Sequence, residues 1–227
     1  MLAALQFLTI LPVPATKASP AHGAWAFPIV GALLGLAAAS LVSIPLGSLL
    51  ALLLVAVLTG GLHEDGLADV CDAVRGYRSR ERMHAILKDS RIGAHGALAL
   101  AFSVLIRWQA LAHFQGNAWL RLPAAYGISR ATMVLLAGWS KPAGEGLGAS
   151  FIGELPRYAV WLAAVQFALL ASLVPWPAGA ILAAANIASI VLARAWFHRR
   201  LGGLTGDCLG FQCQVSEAIS LAVLVWV

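Results

Sequence analysis

The stretch Gly60–Arg91 reads GGLHEDGLADVCDAVRGYRSRERMHAILKDSR and holds twelve of the chain's twenty-five charged residues. The run before it, GSLLALLLVAVLT from Gly47 to Thr59, carries no charge, and the chain turns apolar again beyond Arg91. Within the window the acids come first and the bases after. Asp65, Asp69 and Asp72 recur at i, i+4 and i+7, so on a helix of 3.6 residues per turn they form one narrow stripe. Three carboxylates on one stripe repel each other unless something positive is placed among them.

The surroundings decide what kind of protein carries such a window. Of 227 residues, 60% are hydrophobic and 11% charged, with a mean hydropathy of +0.84. A soluble domain is about 25% charged, so this chain lacks the polar residues to cover an aqueous core. Apolar runs of helical length recur at Phe27–Ile44, Leu46–Leu62, Gly93–Phe114, Ala118–Trp139, Tyr158–Val174, Ala178–Phe197 and Leu209–Val227. About 20 apolar residues cross a bilayer core. The expected fold is therefore all-α: a polytopic membrane helical bundle of about seven transmembrane helices, with 1–227 as one domain. The runs are continuous in Leu and Ala rather than alternating, which argues against a membrane barrel. Met1–Leu11 is too short to span and lacks a basic start; before the helix-ending LPVP it reads as a surface or re-entrant segment.

Placing the basic loop Arg75–Arg91 in the cytosol puts TILPVP, the charged window, GEGLG (Gly144–Gly148) and GGLTGDCLG (Gly202–Gly210) on that same side. The opposite turns hold no Lys or Arg. The net charge of +5 is explained by this topology and by anionic lipid, and no aromatic-rich basic patch supports nucleic-acid binding. The bilayer is the expected partner, and a homo-oligomer is compatible with the chain. Cys71, Cys208 and Cys213 show no metal-finger spacing and read as free buried thiols.

A divalent cation with oxygen ligands is the economical answer to the acidic stripe. Magnesium takes one or two carboxylates and is completed by substrate phosphates. Asp65, Asp69 and Asp72 are the candidate ligands, with Asp89 able to complete the site. Gly66 offers close approach to a phosphate. Glu64 leaves the stripe and reads as a cap or supporting partner. His63 lies about 200° around the helix from Asp65 and reads as a satisfied interfacial histidine. Arg75 is a candidate for substrate phosphate, whereas Arg78, Arg80 and Arg82 read mainly as topological signal. In KDSR, Lys88 and Arg91 are candidates to grip a pyrophosphate. Asp207 opens the last span in a glycine-rich, anion-binding type of turn; Glu145 in GEGLG is a weaker signal. Arg107 and Arg121 are expected to snorkel at the outer interface. One of Arg130 and Arg194, within the apolar runs, is expected to pair with Glu217 or to meet substrate phosphate.

Six segments together resemble one family: LQFLTILPVP, FPIVGALLG, GGLHEDGLADVCDAVRG, ILKDSRIGAHG, GEGLG and GGLTGDCLG. In this order, and over nearly the whole chain, they are similar to the cobalamin synthases, the adenosylcobinamide-GDP ribazoletransferases. The resemblance implies a magnesium-dependent, multi-pass enzyme of the inner membrane with cytosolic active-site loops. It would transfer the adenosylcobinamide-phosphate moiety of adenosylcobinamide-GDP to α-ribazole or α-ribazole 5′-phosphate, releasing GMP, late in cobalamin biosynthesis. It casts Asp69, Asp89, Lys88 and Arg91 as catalytic and Asp65, Asp69, Asp72 and Asp89 as metal ligands. Glu64, Arg75, Arg130, Glu145 and Asp207 would contact substrate. A hydroxyl nucleophile needs a general base, for which Asp69 and Asp89 are the candidates. The last motif departs from the family pattern at Phe211 and at Gln214, where some members carry an acid. DGLADVCD is also similar to the aspartate-rich helix of CDP-alcohol phosphotransferases, although Asp69 follows Ala68 where that motif expects Arg. A transporter is a third reading, weakened by charges that gather at one face instead of along the spans.

Overall fold

The computed structural model describes residues 1–226. In chain order the helices are α1 (Leu2–Leu8), α2 (Pro20–Gly23), a 3-10 turn (Ala24–Ala26), α3 (Phe27–Leu41), α4 (Gly47–Thr59), α5 (Leu62–Ala73), α6 (Arg80–Leu87), α7 (Ala94–Ala112), α8 (Ala118–Gly138), α9 (Leu147–Glu154), α10 (Arg157–Ser172), α11 (Ala178–Arg200) and α12 (Gly206–Trp226). Among the described residues the sole β pairing is an isolated bridge between Pro142 and Leu204. The chain is an all-α, multi-pass membrane protein.

About seven spans are expected. Four segments are long and apolar enough to cross a bilayer: Pro20–Leu41, Ala94–Ala112, Ala178–Arg200 and Gly206–Trp226. Two bent pairs, α4 with α5 and α9 with α10, raise the number to six if each pair counts as one span. Each bend has a local cause. At the end of α4, Gly60 and Gly61 both take left-handed backbone, with φ of 63° and 70°, and α5 leaves at 89°. Only glycine adopts two such residues in succession at little cost. Between α9 and α10, Pro156 cannot continue a helix hydrogen-bond ladder, and the turn there is 88°.

Helix α8 has 21 residues and a length of about 31 Å, yet it is the core and not part of the wall. Every residue from Leu122 to Val134 is buried. It fits because α3 presents small residues: a Cβ on Gly31 or Gly35 would strike the α8 backbone at Tyr126 or Leu122. Close approach through small residues is how helices associate when lipid removes the hydrophobic drive. The outer surface keeps its apolar side chains exposed, among them Leu53, Phe102, Leu105, Trp161, Leu169 and Leu192. Such a wall suits acyl chains and not water.

Polar groups occupy the interior instead. Glu217 of α12 and Arg130 of α8 are wholly buried and paired, and Arg107 of α7 reaches the same carboxylate at 2.9 Å. Arg107 also lies 3.5 Å from Glu64 of α5. Two arginines and two glutamates thus balance in charge across four helices. Arg107 therefore does not snorkel as expected: α7 turns it inward, where Glu217 neutralises it. Arg121 does stay near the Gly116 turn, donating to the Gln115 carbonyl.

Met1–Leu11 is short, as expected. Helix α1 ends at Leu8, Thr9 is extended, and the Ile10 N–H donates to the Leu58 carbonyl at 2.8 Å, fastening the segment to the end of α4.

Candidate active site

Helix α5 organises the site. It packs against α7 and α12, which leaves Asp65 exposed and Asp69 and Asp72 half-buried. Gly66 makes the second contact: a Cβ there would meet the Asp207 carbonyl at 2.8 Å and the Gly210 Cα at 3.1 Å. The role expected for Gly66, admitting a phosphate, is therefore taken by helix packing. The contact brings Asp207, in the first turn of α12, to the acidic stripe of α5.

The two glycine-rich loops join at the same place. Gly148 abuts the backbone of Gly206. The Ala143 N–H donates to the Leu204 carbonyl at 2.8 Å, and the Leu204 N–H to the Lys141 carbonyl at 3.0 Å. GEGLG and GGLTGDCLG are therefore one structural unit, as their expected placement on one face requires.

One cavity opens onto this unit and a second adjoins it across α5. The smaller, about 370 Å³, has Asp65, Asp207, Glu145 and Lys88 among its polar lining and Phe7, Met133, Phe151 and Leu209 among its apolar lining. The larger, about 590 Å³, is lined by Asp65 and Asp69 together with Thr9, Thr59, Ser90 and Ile92. The two share Phe7, Leu62 and Asp65. Asp65 is thus the charged residue on their common wall. Asp69 feels the charges of Asp65, Asp207 and Asp72. Among the described residues, none of Asp65, Asp69 and Asp207 has a Lys or Arg nitrogen within 4 Å.

The remaining expected residues are placed elsewhere. Asp72 is on the stripe but is used differently: its carboxylate accepts the Gly93 N–H at 2.7 Å and the Gly96 N–H at 3.0 Å. It closes the orphan donors at the start of α7 and sits at the positive end of that helix. Asp89 accepts both side-chain nitrogens of Arg91, at 2.9 and 2.7 Å, and lines neither cavity. Hydrogen bonds from Arg91 hold the Asp89 carboxyl down at about 2, which makes it a poor proton acceptor at neutral pH. Asp89 is thus occupied by Arg91, whose own side chain is 86% exposed. Arg75 is exposed and lines neither cavity. Arg130 is buried and pairs with Glu217, one of its two expected partners. Glu64 turns away from the cavities to Arg107 and to the side-chain amide of Gln214, at 3.0 Å. Gln214 also accepts from Ser103 at 3.4 Å. Arg194 donates to the Trp139 carbonyl at 2.7 Å and lies over that indole ring.

Several lining residues carry no signal in the sequence. Phe7, Met133 and Phe151 are apolar residues in an apolar chain. His84 emerges beside them, its ring nitrogen 3.1 Å from the Leu201 carbonyl. His63, expected to be satisfied, is fully buried with neither ring nitrogen partnered, and it lines the smaller cavity.

The donor set bears on a metal. Among the described residues no group of three or more His, Cys, Asp and Glu side chains is placed to hold an ion. An all-protein cage is therefore not formed. Asp65 shares one cavity with Asp69 and the other with Asp207, and either pair fits a hard cation completed by phosphate oxygens and water.

The sequence description of the Cobalamin-5-phosphate synthase family matches residues 1–225. Relatives named adenosylcobinamide-GDP ribazoletransferase resemble the chain along nearly its whole length. That of Geotalea daltonii is 38% identical, covering 98% of this chain and 95% of the relative. That of Bradyrhizobium diazoefficiens is 40% identical, over 97% and 90%. That of Herpetosiphon aurantiacus is 41% identical, over 97% and 94%. No solved structure matches the chain.

Proposed function

The chain belongs to the Cobalamin-5-phosphate synthase family, and on that premise we propose that it is an adenosylcobinamide-GDP ribazoletransferase. The reaction joins adenosylcobinamide phosphate to α-ribazole or its 5′-phosphate and releases GMP. The observation that carries this reading is Asp65, unpaired by any base, on the wall between two cavities. A transferase with two large substrates needs two adjoining compartments and negative groups to organise cationic help at their junction.

The step itself is a phosphoryl-type substitution. A ribose hydroxyl oxygen of the acceptor bonds to the phosphorus that bears the cobinamide. The bridging P–O bond breaks, and GMP leaves with that electron pair. The attacking atom is not the 5′-oxygen when the 5′-phosphate stays on the product. The hydroxyl proton needs an acceptor; with Asp89 tied to Arg91, Asp69 is the candidate. Such chemistry is mainly positioning and electrostatic stabilisation. Asp65, with Asp69 or with Asp207, would hold Mg²⁺, which when bound would neutralise charge on the pyrophosphate and orient it. Lys88 would meet phosphate at the rim of the smaller cavity. Asp72 serves to seat α5 on α7. The active-site loops belong on the cytosolic side of the inner membrane, because Arg75, Arg78, Arg80 and Arg82 lie in the α5–α6 connection and at its edge. The whole chain acts as one membrane-embedded domain.

The test is direct. Detergent-solubilised protein is incubated with Mg²⁺, adenosylcobinamide-GDP and α-ribazole 5′-phosphate, and GMP and the cobalamin product are quantified. Equimolar formation of both is expected. Turnover of a CDP-alcohol instead, or solute accumulation in sealed vesicles with no chemical change, overturns the reading.

A further inference from the structure

We propose that Arg78, Arg80, Arg199 and Arg200 form a seat for the phosphate of an anionic phospholipid headgroup, apart from the active site. The inference goes beyond the reaction and does not depend on it.

The four arginines line a third, open cavity of about 480 Å³ between the α5–α6 connection and the end of α11. It shares no lining residue with the two cavities that meet at Asp65. Glu81 is the one acid on its wall, so four guanidinium groups face a single carboxylate. Among the described residues, none of the four has a carboxylate oxygen within 4 Å. The fold holds these like charges together. Arg78 donates through Nη1 to the carbonyls of Asp72 and Ala73, and Arg200 through Nη2 to those of Val74 and Gly76. Both close the orphan carbonyls at the end of α5, and each spends one terminal nitrogen on that task. Arg80 and Arg199 take no part in the cap and are exposed. Arg80 lies against the loop after α11 because Gly202 has no side chain: a Cβ there would meet its Nη1 at 2.8 Å.

A phosphate answers this donor set, since guanidinium forks match its oxygens. Helix α11 selects a lipid's phosphate. Leu192, Trp196 and Arg199 follow one another at i, i+4 and i+7, which is one stripe of a helix, and all three are exposed. The stripe passes from the apolar wall through an aromatic residue to the basic cavity over about 10 Å. Acyl chain, interface and headgroup follow in that order in a bilayer leaflet. Tyr77, exposed on the cavity lining, is a second aromatic of the kind that settles at headgroup level. A soluble nucleotide would have no use for the apolar end of this stripe. A topological signal requires only that bases be present on one side, whereas these four converge on one space. The cytosolic leaflet, where this loop is expected, is the one rich in anionic lipid.

The experiment uses the detergent-solubilised full chain and follows its thermal midpoint. The protein is titrated with phosphatidylglycerol, with phosphatidylcholine of the same acyl chains, and with glycerol 3-phosphate. Phosphatidylglycerol is expected to raise the midpoint saturably. Phosphatidylcholine is expected to need at least about tenfold more for the same shift, and glycerol 3-phosphate to give none over the same range. Arg80→Gln combined with Arg199→Gln is expected to raise the half-maximal phosphatidylglycerol concentration by about tenfold or more. Arg82→Gln combined with Arg157→Gln removes as much charge from exposed positions outside the cavity and is expected to change it by less than about twofold. Equal responses to the two lipids overturn the proposal. So does a glycerol 3-phosphate response matching that of phosphatidylglycerol, which would mark a site for soluble phosphates. An equal loss in the two double variants overturns it as well, since it would mean diffuse attraction to the membrane surface. The lipid comparison uses wild-type protein and so holds even if a variant misfolds.

Discussion

The carboxylate of Asp72 receives the backbone N–H of Gly93 at 2.7 Å, twenty-one residues along the chain. One acid of the stripe is thereby a cap for α7, and a Cβ on Gly93 or Gly96 would collide with it. Asp72→Asn keeps one acceptor and loses the charge at the helix start. We expect a lower thermal midpoint in detergent, corresponding to about 1 kcal/mol, with product formation retained in protein that is still folded. Differential scanning fluorimetry alongside the GMP assay checks both outcomes.

Asp65→Asn should give the opposite pattern. The carboxylate on the common wall of the cavities is not part of an ion pair, so its loss leaves folding intact. Product formation should fall by about 100-fold or more. A wild-type rate across a range of Mg²⁺ concentrations would remove Asp65 from the site.

Glu217 tests the buried charge balance. Glu217→Gln leaves Arg107 and Arg130 sharing the interior with Glu64 alone. Removing one partner of a buried pair strands the other charge, at a cost of about 3–5 kcal/mol. The expected outcome is poor recovery of folded protein from membranes and a lowered unfolding midpoint, measured by size-exclusion recovery after heating.

In the pair Asp89–Arg91 the arginine is exposed and the aspartate half-buried, and neither lines a cavity. Asp89→Asn and Arg91→Ala should each keep kcat within about twofold of wild type, as for other solvent-screened surface pairs. A loss as large as that of Asp65→Asn would put the pair back among the catalytic groups.

Chelation addresses the metal. Treatment with EDTA should stop GMP release and added Mg²⁺ should restore it. Asp69→Asn and Asp207→Asn should each raise the Mg²⁺ concentration needed for half-maximal rate. Unchanged turnover in EDTA would leave the carboxylates with a purely electrostatic or proton-accepting role.

Much of this site was legible because polar groups are rare in the chain. With 11% charged residues, every acid outside a basic loop draws notice, and Asp65 lines one cavity with Asp207 and Glu145 and the other with Asp69. The partners of Asp72 were not legible, because helical periodicity fixes only where a side chain points on its own helix. That the start of α7 would be waiting there is a tertiary fact. Arg107 misled in the same way: its position in an apolar run gives depth but not which face of α7 turns inward. The bend after α4 was not legible either: two consecutive left-handed glycines turn a continuous apolar-then-charged pattern through nearly a right angle. Phe7, Met133 and Phe151 were beyond reach, since apolar residues in a membrane chain carry no contrast against their neighbours.

The common wall at Asp65 has a kinetic consequence. Each cavity has its own lining and the two meet at a single charged residue, so either substrate can enter while the other is held. Neither has to hand its phosphoryl group to the protein and depart first. Initial rates measured against both substrates should therefore give intersecting double-reciprocal lines, the mark of a ternary complex, and partial exchange of labelled GMP into the donor should require the acceptor to be present.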